Sequence, residues 1–178
     1  MAAARRVKKI HRHLCEAREL SDEEIVQAME LYWSGSPTPA YDGKVTAWDR
    51  EKQTMSMEYS GCRTEDSGLT HDGVVQGGVM SGLIDETLSI LAFFLTRLDS
   101  VPATIELKTS FLRPCPPGKL RVDGQTVKLG KSTGFFEGSL FDEAGALVAR
   151  ASATLNLRSP SPIKGDFVAA LERAKWRT

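Results

Sequence analysis

The segment from Gly77 to Leu95 constrains the fold more than any other part of the chain. Val79, Met80, Leu83, Ile84, Leu88, Ile90, Leu91, Phe93, Phe94 and Leu95 fall around much of a helical wheel. A helix with that pattern has to be buried on most sides rather than lie on a surface. Its length would be about 30 Å, the width of a small domain. It falls short of an unbroken membrane span of roughly 18 apolar residues, because Asp85 and Glu86 interrupt it. The rest of the chain must therefore supply something that wraps around it.

The flanking segments supply mostly strands. Ser21-Asp-Glu-Glu24 has the form of a capping box, and Ile25, Met29 and Trp33 follow at a spacing of four, which predicts a helix over 21–33. Gly35-Ser-Pro37-Thr-Pro39 ends it. Gly43–Asp49 and Thr54–Tyr59 read as strands, and Ser60–Asp72 as a polar loop. After Pro102 come four further strand patterns, Ala103–Leu112, Lys119–Leu129, Thr133–Asp142 and Ala146–Leu157, with short turns that favour antiparallel neighbours. Beyond Pro162, Asp166 is placed to cap a last helix to about Trp176. The simplest packing is α+β: an antiparallel sheet of five or six strands wrapped around the long helix. The domain reading is an N-terminal basic arm and helix over 1–40, the sheet-and-helix body over 41–157, and a C-terminal tail with a short helix over 158–178.

Charge and cysteine usage exclude several classes of function. The 23 basic side chains are balanced by 23 acidic ones, so no net field favours nucleic acid or an anionic membrane. Cys15, Cys62 and Cys115 are far apart and form no CxxC pair, which speaks against a zinc site or a disulfide scaffold. A cytoplasmic protein without metal or cofactor is expected. Arg5, Arg6, Lys8, Lys9 and Arg12 read as a solvated basic arm rather than a transit peptide, since no serine accompanies them. Gly124 and Gly130-Lys-Ser132 fail as a phosphate loop because five residues separate the glycines. No G-x-S-x-G elbow exists, and His71 is the one histidine in the body, so a Ser–His–Asp hydrolase is not expected.

Within the long helix, Asp85 lies between Leu83, Ile84 and Leu88, and Ser89 shares its face one turn on. The helix begins at Gly77-Gly78, where N–H groups lack intrahelical partners and the dipole favours negative charge. Two readings fit this pattern. One is a donor for a developing oxyanion with a carboxylate two turns further along. The other is a polar seam at a subunit contact, with Asp85 or Glu86 merely solvated.

Three motifs carry a resemblance. Gln76-Gly-Gly-Val-Met-Ser-Gly-Leu-Ile-Asp85, Thr109-Ser-Phe-Leu-Arg-Pro114 and Gly130-Lys-Ser-Thr-Gly-Phe-Phe-Glu-Gly-Ser-Leu140 resemble the hot-dog-fold acyl-CoA thioesterases. The pattern is most similar to the phenylacetic-acid-degradation and Arthrobacter-type 4-hydroxybenzoyl-CoA thioesterase branch, from about Tyr41 to Leu157. The resemblance implies hydrolysis of an acyl-CoA to free acid and coenzyme A. It makes Asp85 the general base or nucleophile and Gly77 the backbone N–H that polarises the carbonyl. Ser89 would help hold the attacking water, and Thr104 matches a strand hydroxyl near the active site. Arg113, Ser132 and Thr133 match coenzyme A contacts, with Lys131 as an added phosphate contact. It further implies a homodimer or homotetramer in which Asp85 faces Gly77 of the other subunit.

Two positions depart from the family pattern. Gln76 stands where the family has histidine, and Thr70 where relatives carry Asn or Gln to position substrate, with His71 next to it. Gln76 can donate and accept hydrogen bonds but cannot titrate near neutral pH. A non-catalytic acyl-CoA-binding protein on the same fold is the alternative these changes keep open. A hot-dog hydratase would need a histidine paired with its acid.

Overall fold

The computed structural model describes residues 20–34, 42–60, 62, 70–71 and 73–158. The basic arm and the expected C-terminal helix lie outside the described residues. Helix α1 (Asp22–Ser34) starts with the capping box its sequence implies. Glu24 N–H donates to Ser21 Oγ at 3.2 Å, and Ser21 N–H donates to Glu24 Oε2 at 3.1 Å. Strands β1 (Gly43–Asp49) and β2 (Thr54–Tyr59) follow.

Next, β3 (Thr70–His71) and β4 (Val74–Val75) form a small hairpin across Gly73, whose φ of 74° suits a residue without a side chain. This corrects the reading of the 60–72 segment as wholly loop. Strands of two residues are too short to show a period, which is why the pattern hid them.

Helix α2 (Gly77–Leu95) has the bounds its apolar pattern predicts. Strands β5 (Ala103–Phe111), β6 (Leu120–Leu129), β7 (Thr133–Phe141) and β8 (Leu147–Asn156) complete the body. Six strands make one sheet in the order β1-β2-β6-β7-β8-β5, antiparallel at every pairing. Helix α2 lies across its inner face and touches β2, β5, β6, β7 and β8. By length and composition α2 could cross a membrane, but most of it is buried inside this fold.

Period-two burial places the core. Gly134, Phe136, Gly138 and Leu140 of β7 face the helix, as do Ala149, Ala151, Ala153 and Leu155 of β8. Gly124 and Gly138 are cross-strand partners under the middle of α2. A methyl on Gly138 would stand 2.5 Å from Ile84 Cγ2, and one on Gly124 would stand 3.0 Å from Leu88 Cδ2. The absent side chains let the helix seat directly on the sheet. One buried polar group fixes its rotation: the Tyr59 hydroxyl meets Thr87 Oγ1 at 2.8 Å and the Leu83 carbonyl at 3.1 Å.

Arg50, in the β1–β2 turn, clamps the far end of α2. It donates to the carbonyls of Phe94 (2.8 Å) and Leu95 (3.3 Å), pairs with Asp22 of α1 at 2.7 Å, and covers the Phe94 ring at 4.1 Å. A cation at a helix C-terminus meets the negative end of the dipole and satisfies carbonyls with no intrahelical donor. Arg97 adds a bond to the Leu20 carbonyl and a contact with Asp22. Arg50→Ala should cost about 2 kcal/mol, because the Leu95 carbonyl loses its guanidinium donor, Phe94 keeps only the Arg97 N–H, and Asp22 keeps only the longer contact with Arg97. Urea denaturation would measure this, and Arg50→Lys should recover only part of it, since a single ammonium cannot replace the planar fork.

Glu86 and Thr126 each leave a buried oxygen without a partner among the described residues, and Glu86 is the one that titrates. Its Oε2 is buried without a hydrogen-bond partner, and burial pushes the carboxyl above its ordinary range. A folded-state pKa above the unfolded one means the native state holds the proton more tightly. Stability from this group is therefore full below the ordinary glutamate range and is lost as pH rises through the folded value. Glu86→Gln should raise the urea midpoint more at about pH 8 than at about pH 4. An equal change at both would contradict the assignment.

Candidate active site

One half-buried edge of α2 carries Asp85 and Ser89, and β5 brings Thr104 to Asp85. Thr104, the second residue of β5, donates from Oγ1 to Asp85 Oδ1 at 2.7 Å. Cross-strand pairing explains the reach: Thr104 lies opposite the buried Leu155, so its side chain points to the helix side of the sheet. Asp85 is half-buried, with Ser89 one helical turn on and also half-buried. The carboxylate is held in one orientation while its other oxygen remains available.

At the start of α2, Gln76 is the N-cap in extended conformation (φ −62°, ψ 142°), and its exposed side chain makes no capping bond. The helix ladder begins with Met80 N–H donating to the Gln76 carbonyl at 3.0 Å. The Gly77 N–H therefore has no partner within the helix. Its missing side chain is needed too: a methyl there would meet Phe111 Cζ at 3.0 Å. Thr70 pairs with Val75 in the β3–β4 hairpin, one residue before Gln76, so the hairpin holds these positions near the helix start.

The coenzyme A candidates do not converge within one protomer. Arg113 follows the C-terminal end of β5 and is exposed. Lys131, Ser132 and Thr133 occupy the β6–β7 turn, where Thr133 pairs with Asn156 and Asn156 with Ala103 at the N-terminal end of β5. The two groups stand at opposite ends of a nine-residue strand, about 30 Å apart by strand rise. The β8–β5 pairing, which sets β5 parallel to β7, is what sends the two groups to opposite ends. Asp85 and Gly77 are likewise eight residues apart on one helix, about 12 Å along its axis.

Two residues escaped the sequence reading. Phe111 sits inside a quoted motif but was given no role, and only the folded chain puts its ring against Gly77. Glu86, beside Asp85, shows its orphan oxygen only in the packed structure.

Other chemistry is disfavoured by what surrounds it. Burial first, then the charges of Asp142 and Cys62, pushes the Cys115 thiol up to about 11, and burial also raises Cys62. Neither is an activated nucleophile. Among the described residues no group of three or more His, Cys, Asp or Glu could hold a metal ion. Shallow polar hollows of about 280 and 240 Å³ share Glu137 and Arg150 on the outer face of the sheet, away from Asp85.

Comparison with known proteins follows the same outline. Residues 72–149 match the family described as the thioesterase superfamily. No curated protein matches the chain. Among solved structures, a phenylacetic acid degradation-related protein from Ralstonia eutropha is 25% identical, with a TM-score of 0.65, over 74% of this chain and 99% of that one. A thioesterase from Haemophilus influenzae has a TM-score of 0.65 at 16% identity, over 80% of this chain and 93% of that one. A Streptococcus mutans protein solved with acetyl-CoA bound has a TM-score of 0.56 at 18% identity, over 66% of this chain and 90% of that one. At the lower identities the likeness is one of fold. Sheet order, central helix and matched residues together make this chain a hot-dog-fold protein that resembles the thioesterase superfamily over residues 72–149.

Proposed function

We propose that the protein hydrolyses an acyl-CoA thioester to free acid and coenzyme A. The observation that carries this reading is the Asp85–Thr104 hydrogen bond at the open edge of a helix whose N-terminus is uncapped at Gly77. Asp85 takes a proton from water, and the hydroxide adds to the thioester carbon. The carbonyl oxygen becomes an oxyanion and accepts from the Gly77 N–H, a fixed donor that needs no reorganisation. Collapse of the tetrahedral intermediate breaks the C–S bond, and the departing thiolate of coenzyme A takes up the proton. Attack by the Asp85 carboxylate itself, through an anhydride then hydrolysed by water, uses the same two groups. Ser89 holds the water, and Gln76 supplies a non-titrating amide where the family has histidine.

Separation decides how the site is assembled. A carbonyl must lie about 3 Å from both the donor and the attacking water, so groups about 12 Å apart on one helix cannot serve it together. Antiparallel pairing of the open edge of β5 with a second copy would set the Thr104–Asp85 end of one subunit against the partner subunit's Gly77. The same operation brings Arg113 to the partner's Lys131, Ser132 and Thr133, which would gather the phosphate contacts. It would also cover an exposed strand edge. The acetyl-CoA bound by the Streptococcus mutans relative supports a coenzyme A ligand. The exposed Gln76 favours the second reading, a protein that binds acyl-CoA without turning it over.

Release of free thiol from a panel of acyl-CoAs distinguishes the two. Asp85→Asn should lower kcat by about 10²–10⁴, and Ser89→Ala by less. Binding without turnover on every acyl-CoA would favour the second reading. Arg113→Ala should mainly raise KM, because a phosphate contact serves ground and transition states alike. A steep fall in kcat at unchanged KM would refute that role. Light scattering at micromolar concentration should find a dimer or larger, and a monomer would leave the composite site unformed.

A further inference from the structure

One apolar feature beside the candidate donor has no part in the chemistry above. Phe111 ends β5 opposite the buried Ala149, and its ring turns to the helix side of the sheet, as Thr104 does seven residues earlier. The ring lies against the first turn of α2, where a methyl on Gly77 would meet three of its atoms at 3.0–3.4 Å. Even so, Phe111 is 51% exposed, its neighbour Leu112 52% and Val74 36%. Val75 N–H donates to the Cys115 carbonyl at 2.8 Å, which ties β4, and with it the start of α2, to the segment just beyond β5. Apolar side chains left in water beside a fixed polar donor have the composition of a ligand site: an apolar lining with one group that orients the ligand.

We propose that Phe111 is the specificity-determining wall of the acyl site, and that the acyl group packing on its ring is apolar, either an alkyl chain of several carbons or an aromatic ring. The inference rests on the thioester reading, because it takes the carbonyl as held at the Gly77 N–H. With the oxygen fixed there, the first carbons of the acyl group run past the Phe111 ring. An acetyl group is too short to cover that surface. An acyl group ending in a carboxylate would lose hydration against it and find no partner in return.

The experiment compares acetyl-CoA, hexanoyl-CoA, phenylacetyl-CoA and succinyl-CoA on the full-length protein and three variants. Wild type should prefer the hexanoyl and phenylacetyl esters. Phe111→Ala should reduce that preference over acetyl by about tenfold or more, the range expected for lost apolar contact in a binding pocket. Phe111→Leu should recover the hexanoyl preference but not the phenylacetyl one. Phe111→Trp, which fills more of the space, should shift the preference to shorter chains, and it keeps the test alive if the alanine variant does not fold. Equal loss on every substrate, with or without dissociation of the oligomer, would make Phe111 a structural or subunit contact and overturn the proposal. So would an unchanged preference. Affinities of acetonyl-CoA and 2-oxoheptyl-CoA, thioethers that keep the carbonyl but cannot be hydrolysed, should show the same selectivity in calorimetry, so failure of hydrolysis and failure of the Phe111 wall are read separately.

Discussion

The chemistry proposed at the edge of α2 depends on how closely its other side sits on the sheet. Gly124 and Gly138 face each other across β6 and β7 and leave a shallow seat for Leu88 and Ile84. Asp85 is the next residue after Ile84, so the depth of that seat sets the height at which its carboxylate meets Thr104 at 2.7 Å. Side chains on the two glycines would lift the helix, and overpacking of this kind costs about 1–3 kcal/mol in a close-packed core. Tyr59 and Thr87 fix the rotation of the helix, and Arg50 fixes its far end. The helix start carries no comparable side-chain cap. Its exposed N–H groups are the polar feature that the proposed reaction uses.

The same rigidity is why the proposed site calls for a two-fold arrangement. A helix fixes its residues along a line, so the carboxylate and the donor cannot approach each other within one subunit. Strand β5 repeats the constraint, with Thr104 near its beginning and Phe111 at its end. Antiparallel pairing of two β5 strands would turn both separations into contacts, and would do the same for Arg113 and the β6–β7 turn. One symmetry operation would thus account for the proposed catalytic pair, the proposed phosphate contacts and the unpaired edge. The proposed apolar wall at Phe111 lies where the two halves would meet.

Much of this was legible in the sequence wherever local rules decide. The apolar wheel of 77–95 gave the bounds of α2, and Ser21 and Glu24 announced the start of α1. Strands β1 and β2 fell on the period-two segments because their turn, Asp49-Arg-Glu-Lys-Gln53, is polar and short. Asp85 stood out as a charge inside an apolar helix. What remained hidden depends on contacts between distant segments. That β5 pairs with β8 at the edge, and so sends Arg113 and Lys131 to opposite ends, is a matter of strand order that no local pattern encodes. The clamp of Arg50 on Phe94 and Leu95 joins residues more than forty positions apart. Glu86 and Asp85 look alike in the sequence, yet one finds Thr104 and the other finds nothing.

The shared site can be tested most directly by subunit complementation. Asp85→Asn removes the carboxylate from one chain. Gly77→Pro removes the donor N–H from the other, at the first helical position, where the proline backbone fits; the extended Gln76 before it already has the conformation that a residue preceding proline prefers. Its Cβ would stand 3.0 Å from Phe111 Cζ, so Gly77→Ala, which makes the same contact but keeps the N–H, is the control and should stay active. Each variant alone should be nearly inactive. Co-expressed, they should regain about a quarter of wild-type thioester hydrolysis, since half of randomly paired dimers are mixed and each mixed dimer holds one intact site. No recovery in a verified mixed dimer would mean that Asp85 and Gly77 do not act on the same carbonyl across the interface.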